Sequence, residues 1–129
     1  AIRLEAVRHF MTLPEAGSLT AANKRISNIL KKVEGEVGTE VNESLLKEDA
    51  EKALYKAIGN HEPIAAIFYK KSEFEGMLAS LTPLKNPVDA FFSDVMVNAE
   101  DAAIRANRQA LLKRLYILMN SVAELSRLA

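Results

Sequence analysis

The chain contains no cysteine. That absence excludes a disulfide scaffold, thiolate zinc sites and thiol catalysis, and it fits a reducing cytoplasmic setting. No apolar run approaches the roughly 20 residues that a membrane span needs. No charged-then-apolar signal segment opens the chain. There is no Gly-rich phosphate loop, no nucleophile elbow and no His-Glu-x-x-His metal pair. Histidine is scarce: His9 and His61 are the only two, far apart in sequence. A solvated or capping role suits each better than metal ligation or acid–base work. Net charge is also missing, so the overall balance points to no class of partner.

What is present suits one soluble domain spanning residues 1–129. A chain of this size buries roughly two-thirds of the surface its unfolded form exposes, so it needs no metal or disulfide to hold it. Apolar residues make up 49% and charged residues 26%, which argues against disorder. The chain opens at Ala1 rather than Met, with residues that already look helical. This points to a fragment of a longer protein. Charge is unevenly spread. Residues 1–33 carry six Lys/Arg and two Glu, residues 34–51 carry one Lys and seven Asp/Glu, and the remainder carries ten basic and eight acidic groups. A local basic patch is therefore compatible with neutrality.

Apolar spacing is helical almost throughout, and no segment alternates with period two. The fold class expected is all-α, a bundle of about six to seven helices. The first helix is expected over residues 2–12, with Leu4, Val7 and Met11 on one side. Leu13-Pro14 interrupts it. Ser18 then caps a second helix to about Val33, with Ala22, Ile26, Ile29, Leu30 and Val33 inward. Gly35 and Gly38 mark an acidic loop. A third helix is expected from Glu43 to Ile58, ended by Gly59-Asn60. Pro63 opens a fourth, and Ser72 with Glu75 reads as the capping box of a fifth. Asn86 caps and Pro87 opens the next helix, which carries Val88, Phe91, Phe92 and Val95. Asn98 caps the last, whose Ile104, Leu111, Leu115, Leu118, Val122 and Leu125 share a face. No internal repeat or low-complexity tract is present.

Two polar faces stand out. On the second helix Lys24, Ser27, Asn28 and Lys31 fall opposite the apolar stripe, flanked by Arg25 and Lys32. Four cations with Asn23 and Asn28 suit phosphate contacts and base-edge hydrogen bonds. Asn is a poor helix former, so two in one helix suggest a local reason. The competing reading is a plain solvated face. On the last helix Arg105, Arg108, Gln109, Lys113, Tyr116 and Asn120 lie away from the leucines. Arg pairs with phosphate in a fork and stacks on bases. The competing reading pairs Arg105 and Arg108 with Glu100, Asp101 or Asp94, for a few tenths of a kcal/mol per exposed pair. Phe91 and Phe92 read as core rather than as a stacking platform. The acidic run from Glu34 to Glu51 lacks the alternating oxygen ligands of a calcium loop and reads as a solvated linker and helix start.

The strings AANKRISNILKK and NPVDAFFSDVMVNAEDAAIRANRQALLKRL resemble the C-terminal region of bacterial glycyl-tRNA synthetase beta subunits. The likeness extends over about residues 3–128. Within it Asp101-Ala102-Ala103-Ile104-Arg105, with Asn107-Arg108 and Leu111-Leu112, is similar to the motif that names the DALR anticodon-binding domain, which arginyl-tRNA synthetases also carry. Gln109 stands where the family usually has Leu. Asn98 stands in a usually apolar place, and Asn120 and Ser121 interrupt the apolar end of the last helix. The resemblance implies a helical domain that recognises the anticodon region of glycine tRNA. The expected RNA-binding residues are Asn23, Lys24, Arg25, Asn28, Lys31, Lys32, Arg105 and Arg108. It further implies a parent ligase that joins glycine to its tRNA with ATP and magnesium, and an alpha-subunit partner in an α2β2 heterotetramer. The fragment itself would carry no chemistry, cofactor or metal. The alternative is a docking module that does not touch RNA.

Overall fold

The computed structural model describes residues 2–125, with the Ile2 side chain outside the description. The last residues of the family likeness, 126–128, lie outside it too. Among the described residues there are six α-helices and no strand. They are α1 (Ile2–Phe10), α2 (Ala16–Lys31), α3 (Asp49–Lys70), α4 (Phe74–Ala79), α5 (Lys85–Asp94) and α6 (Ala102–Met119). Two 3-10 turns, Glu43–Leu45 and Thr82–Leu84, sit in the connectors.

α2 and α3 each pack on both α5 and α6. The four helices thus form a ring with α2 and α3 across its diagonal. α1 packs on α4, and α4 leans on α3. The core runs through the ring as Leu19, Ile26, Leu54, Ile58, Val88, Phe91, Leu111 and Leu115, each at most 1% exposed. α6 is buried on most sides, with Leu111 and Leu112 adjacent and both fully covered. A helix enclosed by neighbours has no wide solvent face, so on the side expected to be polar Arg108 is buried and Arg105, Gln109, Lys113, Tyr116 and Asn120 are half-buried.

Several helix ends differ from expectation for readable reasons. α1 buries Ala6 and Phe10 against its neighbours while Leu4 and Met11 stay exposed, because the bulkier Phe10 sets the inward face. α2 starts at Ala16, before Ser18, with Glu15 at the cap position and no side-chain cap. The expected third and fourth helices are one. Pro63 lies inside α3, and its missing N–H leaves only the exposed Gly59 carbonyl without a helical donor. Water can take that carbonyl, while Ile58 and Ala65 keep the inward stripe continuous across the site.

Ser72 ends α3 instead of capping the next helix. Its φ is +57°, its N–H donates to the Tyr69 carbonyl, and the Glu73 N–H donates to the Phe68 carbonyl. This is a Schellman closure with Ser in the place Gly usually takes. Gly76 answers a different need: a Cβ there would lie 2.7 Å from the Phe68 ring. α5 begins at Lys85, so Asn86 and Pro87 lie within its first turn. α6 is capped by Asp101, whose Oδ1 accepts from the Ile104 N–H at 3.0 Å, and not by Asn98.

Candidate nucleic-acid interface

The N-terminal half of α6 is a set of internal clamps. Arg105 Nη1 donates to the Ala99 carbonyl at 2.8 Å and to the Glu100 carbonyl at 3.3 Å. Arg108 Nη1 donates to the Met96 carbonyl at 2.6 Å, and its Nη2 donates to Glu51 Oε1 at 2.9 Å. Both arginines therefore hold the connector between α5 and α6. Neither pairs with Asp94, Asp101 or the Glu100 carboxylate as charge spacing suggested. Between them Asn107 grips the acidic segment: its Oδ1 accepts from the Asn42 N–H at 2.7 Å, and its Nδ2 donates to the Asn42 carbonyl at 3.0 Å. A side-chain amide here completes the backbone pairing of an otherwise extended stretch.

Glu51 is fully buried and Arg108 is 7% exposed. Burial would raise the Glu51 carboxyl. The Arg108 hydrogen bond, the Glu48 and Lys47 N–H donors and the guanidinium charge outweigh it, and hold the group below the ordinary glutamate value. The Glu48 N–H is the N-cap donor of α3 and the Lys47 N–H lies just before it, so one carboxylate both caps that helix and anchors α6. Glu51 Oε2 and Arg108 Nε are buried without a protein partner. The pair is thus weak as net stabilisation and strong as a positional lock, since losing one member strands a buried charge.

Asn23 is also internal, at 0% exposure. Its Nδ2 donates to Asn120 Oδ1 at 2.7 Å, and Asn120 Nδ2 donates back to Asn23 Oδ1 at 2.9 Å. Asn120 Oδ1 further accepts from the Leu125 N–H, closing the chain after α6. The reciprocal amide pair staples α2 to α6, which is the local reason for Asn23 in a helix. Ser27, expected on the polar face, is buried as well. Of the residues singled out from the sequence, Asn23 and Arg108 are therefore corrected: burial removes both from any surface a ligand could reach.

The rest come together. Lys24, Arg25, Asn28, Lys31 and Lys32 are exposed along the outer face of α2. Arg25, Lys32 and Arg105 line one groove of about 720 Å³, set between the C-terminal half of α2 and the connector leading into α6. Ile29, Val33, Val95, Val97, Ala102 and Ala106 supply its apolar wall, and Glu34 is its single carboxylate. A shallower hollow with Lys24, Arg25, Asn28 and Lys32 adjoins it along α2. The Arg25 guanidinium lies 4.4 Å from the centre of the Phe92 ring. Phe91 is fully buried, while Phe92 is half-buried, packed on the core and in contact with Arg25. Asn98, Met96 and Gln109 also line the groove. Sequence spacing missed Met96 and Asn98 here, because the connector that carries them is placed by Arg108 across the fold. Among the described residues no group of His, Cys, Asp and Glu is arranged to hold a metal. His9 lies 3.4 Å from Glu75, and His61 Nδ1 lies 2.8 Å from the Ala57 carbonyl.

The DALR anticodon binding domain family matches residues 19–125, which takes in both the α2 face and the clamped half of α6. The chain belongs to the DALR anticodon-binding domain family. The DALR domain described here is similar to glycine–tRNA ligase beta subunits. It is 54% identical over 129 residues to that of Janthinobacterium sp. (strain Marseille), covering 100% of this chain and 18% of the relative. It is 54% identical over 127 residues to that of Methylobacillus flagellatus and 55% identical over 127 residues to that of Acidovorax ebreus, each time covering 98% of this chain and 18% of the relative. The DALR domain thus spans about a fifth of the length of the curated relatives it matches. Within the matched range Arg105 and Arg108 hold the connector that forms one wall of the groove, while Asn107 holds the segment at Asn42.

Proposed function

We propose that this domain binds the anticodon region of glycine tRNA along the exposed face of α2 and the groove beside it. The observation that carries the reading is the meeting of Arg25, Lys32 and Arg105 around one groove, with Lys24, Asn28 and Lys31 continuing the face. Lysines on an open helix face neutralise phosphates, while a groove with an apolar wall suits unstacked bases. The domain would serve a longer beta subunit that, with an alpha partner, joins glycine to tRNA using ATP and magnesium in the cytoplasm. Among the described residues no helix is long and apolar enough to cross a membrane. Filter binding tests the reading. Lys31→Ala with Lys32→Ala is expected to weaken glycine tRNA binding and lower the log–log salt slope by about 0.7 per lysine. The same change at Lys70 and Lys71, on the far end of α3, is expected to leave both unchanged. Equal losses for the two pairs contradict the placement.

A docking role has its own support, on another face. Ile64, Ile67, Tyr69 and Ile117 are 42 to 58% exposed around the C-terminal half of α3 and α6. Tyr69 and Ile117 border an open groove of about 540 Å³ with Ala65, Ala66 and Leu118 in its wall. The relatives are several times longer than this chain, and the occupant this reading commits to is the remainder of such a beta subunit. Ile67→Glu with Ile117→Glu would then loosen the domain from the full-length subunit, seen as new protease sensitivity at its boundary. Unchanged sensitivity argues against docking through this face.

A further inference from the structure

We infer that the groove between α2 and the connector into α6 seats one unpaired nucleotide, and that the side-chain amides of Asn98 and Gln109 read its base. This rests on the RNA-binding reading above and adds to it which residues confer base discrimination. At about 720 Å³ the groove lies in the range of roughly 300–1,000 Å³ typical of small-ligand sites, which suits a nucleotide and not a duplex.

Its chemistry is divided. Lys32 and Arg105 bring positive charge to the groove, where a phosphate would sit. Arg25 offers a planar face already ordered by Phe92, 4.4 Å from the ring centre, and guanidinium planes stack on bases. Asn98 and Gln109 are the two neutral amides that line it. Each presents a donor and an acceptor side by side, which matches a base edge carrying an adjacent acceptor and donor.

The amides are also unspent. Asn23, Asn42, Asn107 and Asn120 all make hydrogen bonds within the fold. Among the described residues the side chains of Asn98 and Gln109 make no such bond, no ion pair and no ring contact. Asn98 is exposed and Gln109 half-buried, so both reach a ligand without unfolding anything. Their bases of support differ from the phosphate-binding lysines: Asn98 rides on the connector that Arg105 and Arg108 hold, and Gln109 lies on the rigid helix α6. A fixed wall carrying free amides is what selective hydrogen bonding to a base needs.

The test uses the 129-residue chain with glycine tRNA and a set of the same tRNA carrying single base changes through the anticodon loop. Asn98→Ala with Gln109→Ala is expected to cut the preference for the unchanged tRNA by about tenfold or more. Its affinity for the changed tRNAs and its salt slope should stay as in the parent chain. Circular dichroism should show the parent's helicity, since both side chains lie outside the core. A preference equal to the parent's overturns the assignment while leaving RNA binding intact. Failure of the unsubstituted chain to bind any of the tRNAs overturns the RNA reading itself and this assignment with it. A uniform loss across all tRNAs, with a reduced salt slope, also overturns it, because it would make the two amides part of general backbone binding.

Discussion

α2 and the N-terminal half of α6 both carry cations and asparagine, yet α2 turns its cations outward while α6 uses its own mainly as internal clamps. Each has arginine and asparagine spaced at helical turns. On α2 the cations face outward over a groove; on α6 Arg105, Asn107 and Arg108 turn toward carbonyls, an amide unit and a buried carboxylate. The difference lies in what faces each helix. α6 runs between α2 and α3 and meets the connector carbonyls of Met96, Ala99 and Glu100. The outer face of α2 stays exposed at Arg25, Asn28, Lys31 and Lys32, and Arg25 meets α5 through Phe92. A polar helix face is thus a binding surface or a scaffold according to whether the chain returns to cover it.

The largest effect is expected where that contrast is steepest. Arg108→Ala strands the buried Glu51 carboxylate and should lower unfolding free energy by about 3–5 kcal/mol in urea titration, whereas Lys32→Ala should stay within about 0.5 kcal/mol. Replacing both members together, Glu51→Leu with Arg108→Met, should cost far less than the single change. A small loss for Arg108→Ala would erase the distinction between the two helices.

The same pair sharpens the comparison through pH. Glu51 is held below its ordinary value of 4.5, so it favours the folded state above that pH. Its contribution is lost as pH falls through the lower folded-state value. Glu51→Gln should therefore flatten the acid limb of the stability profile.

Next in size is the amide staple between the helices. Asn23→Ala leaves the Asn120 amide short of a buried partner and should cost about 1–3 kcal/mol. A double-mutant cycle with Asn120→Ala should show positive coupling, and additive losses would mean that the two amides act separately. The smallest effect belongs to Arg25, which sits between the two roles. Arg25→Ala should cost about 0.5–1 kcal/mol through loss of the Phe92 contact, read from thermal unfolding, together with weaker RNA binding.

Much of this fold was legible because apolar spacing reports burial directly. Ile26, Leu54, Val88, Phe91, Leu111, Leu115 and Leu118 stand inward as their periodicity requires. Element ends were less legible, since Gly59 and Pro63 carry stop signals that a continuous inward stripe overrides, and Ser72 occupies a position where Gly is the usual marker. The site divides the same way. Lys31, Lys32 and Arg25 were readable as an outer face from α2 alone. Arg108 and Asn23 were not, because their partners Glu51 and Asn120 lie 57 and 97 residues away in sequence. Glu51 did leave one local trace: it stands three residues after Glu48, the spacing of a reciprocal helix cap. Nothing comparable announces Asn107, whose partner is the backbone of Asn42.

Lysine-reactivity footprinting in the presence and absence of glycine tRNA tests most directly whether RNA lies on the outer face of α2, since it leaves every clamp in place. Bound tRNA should protect Lys31 and Lys32 while Lys70 and Lys71 keep their reactivity. Protection of Lys70 and Lys71 with Lys31 and Lys32 still reactive would contradict the account.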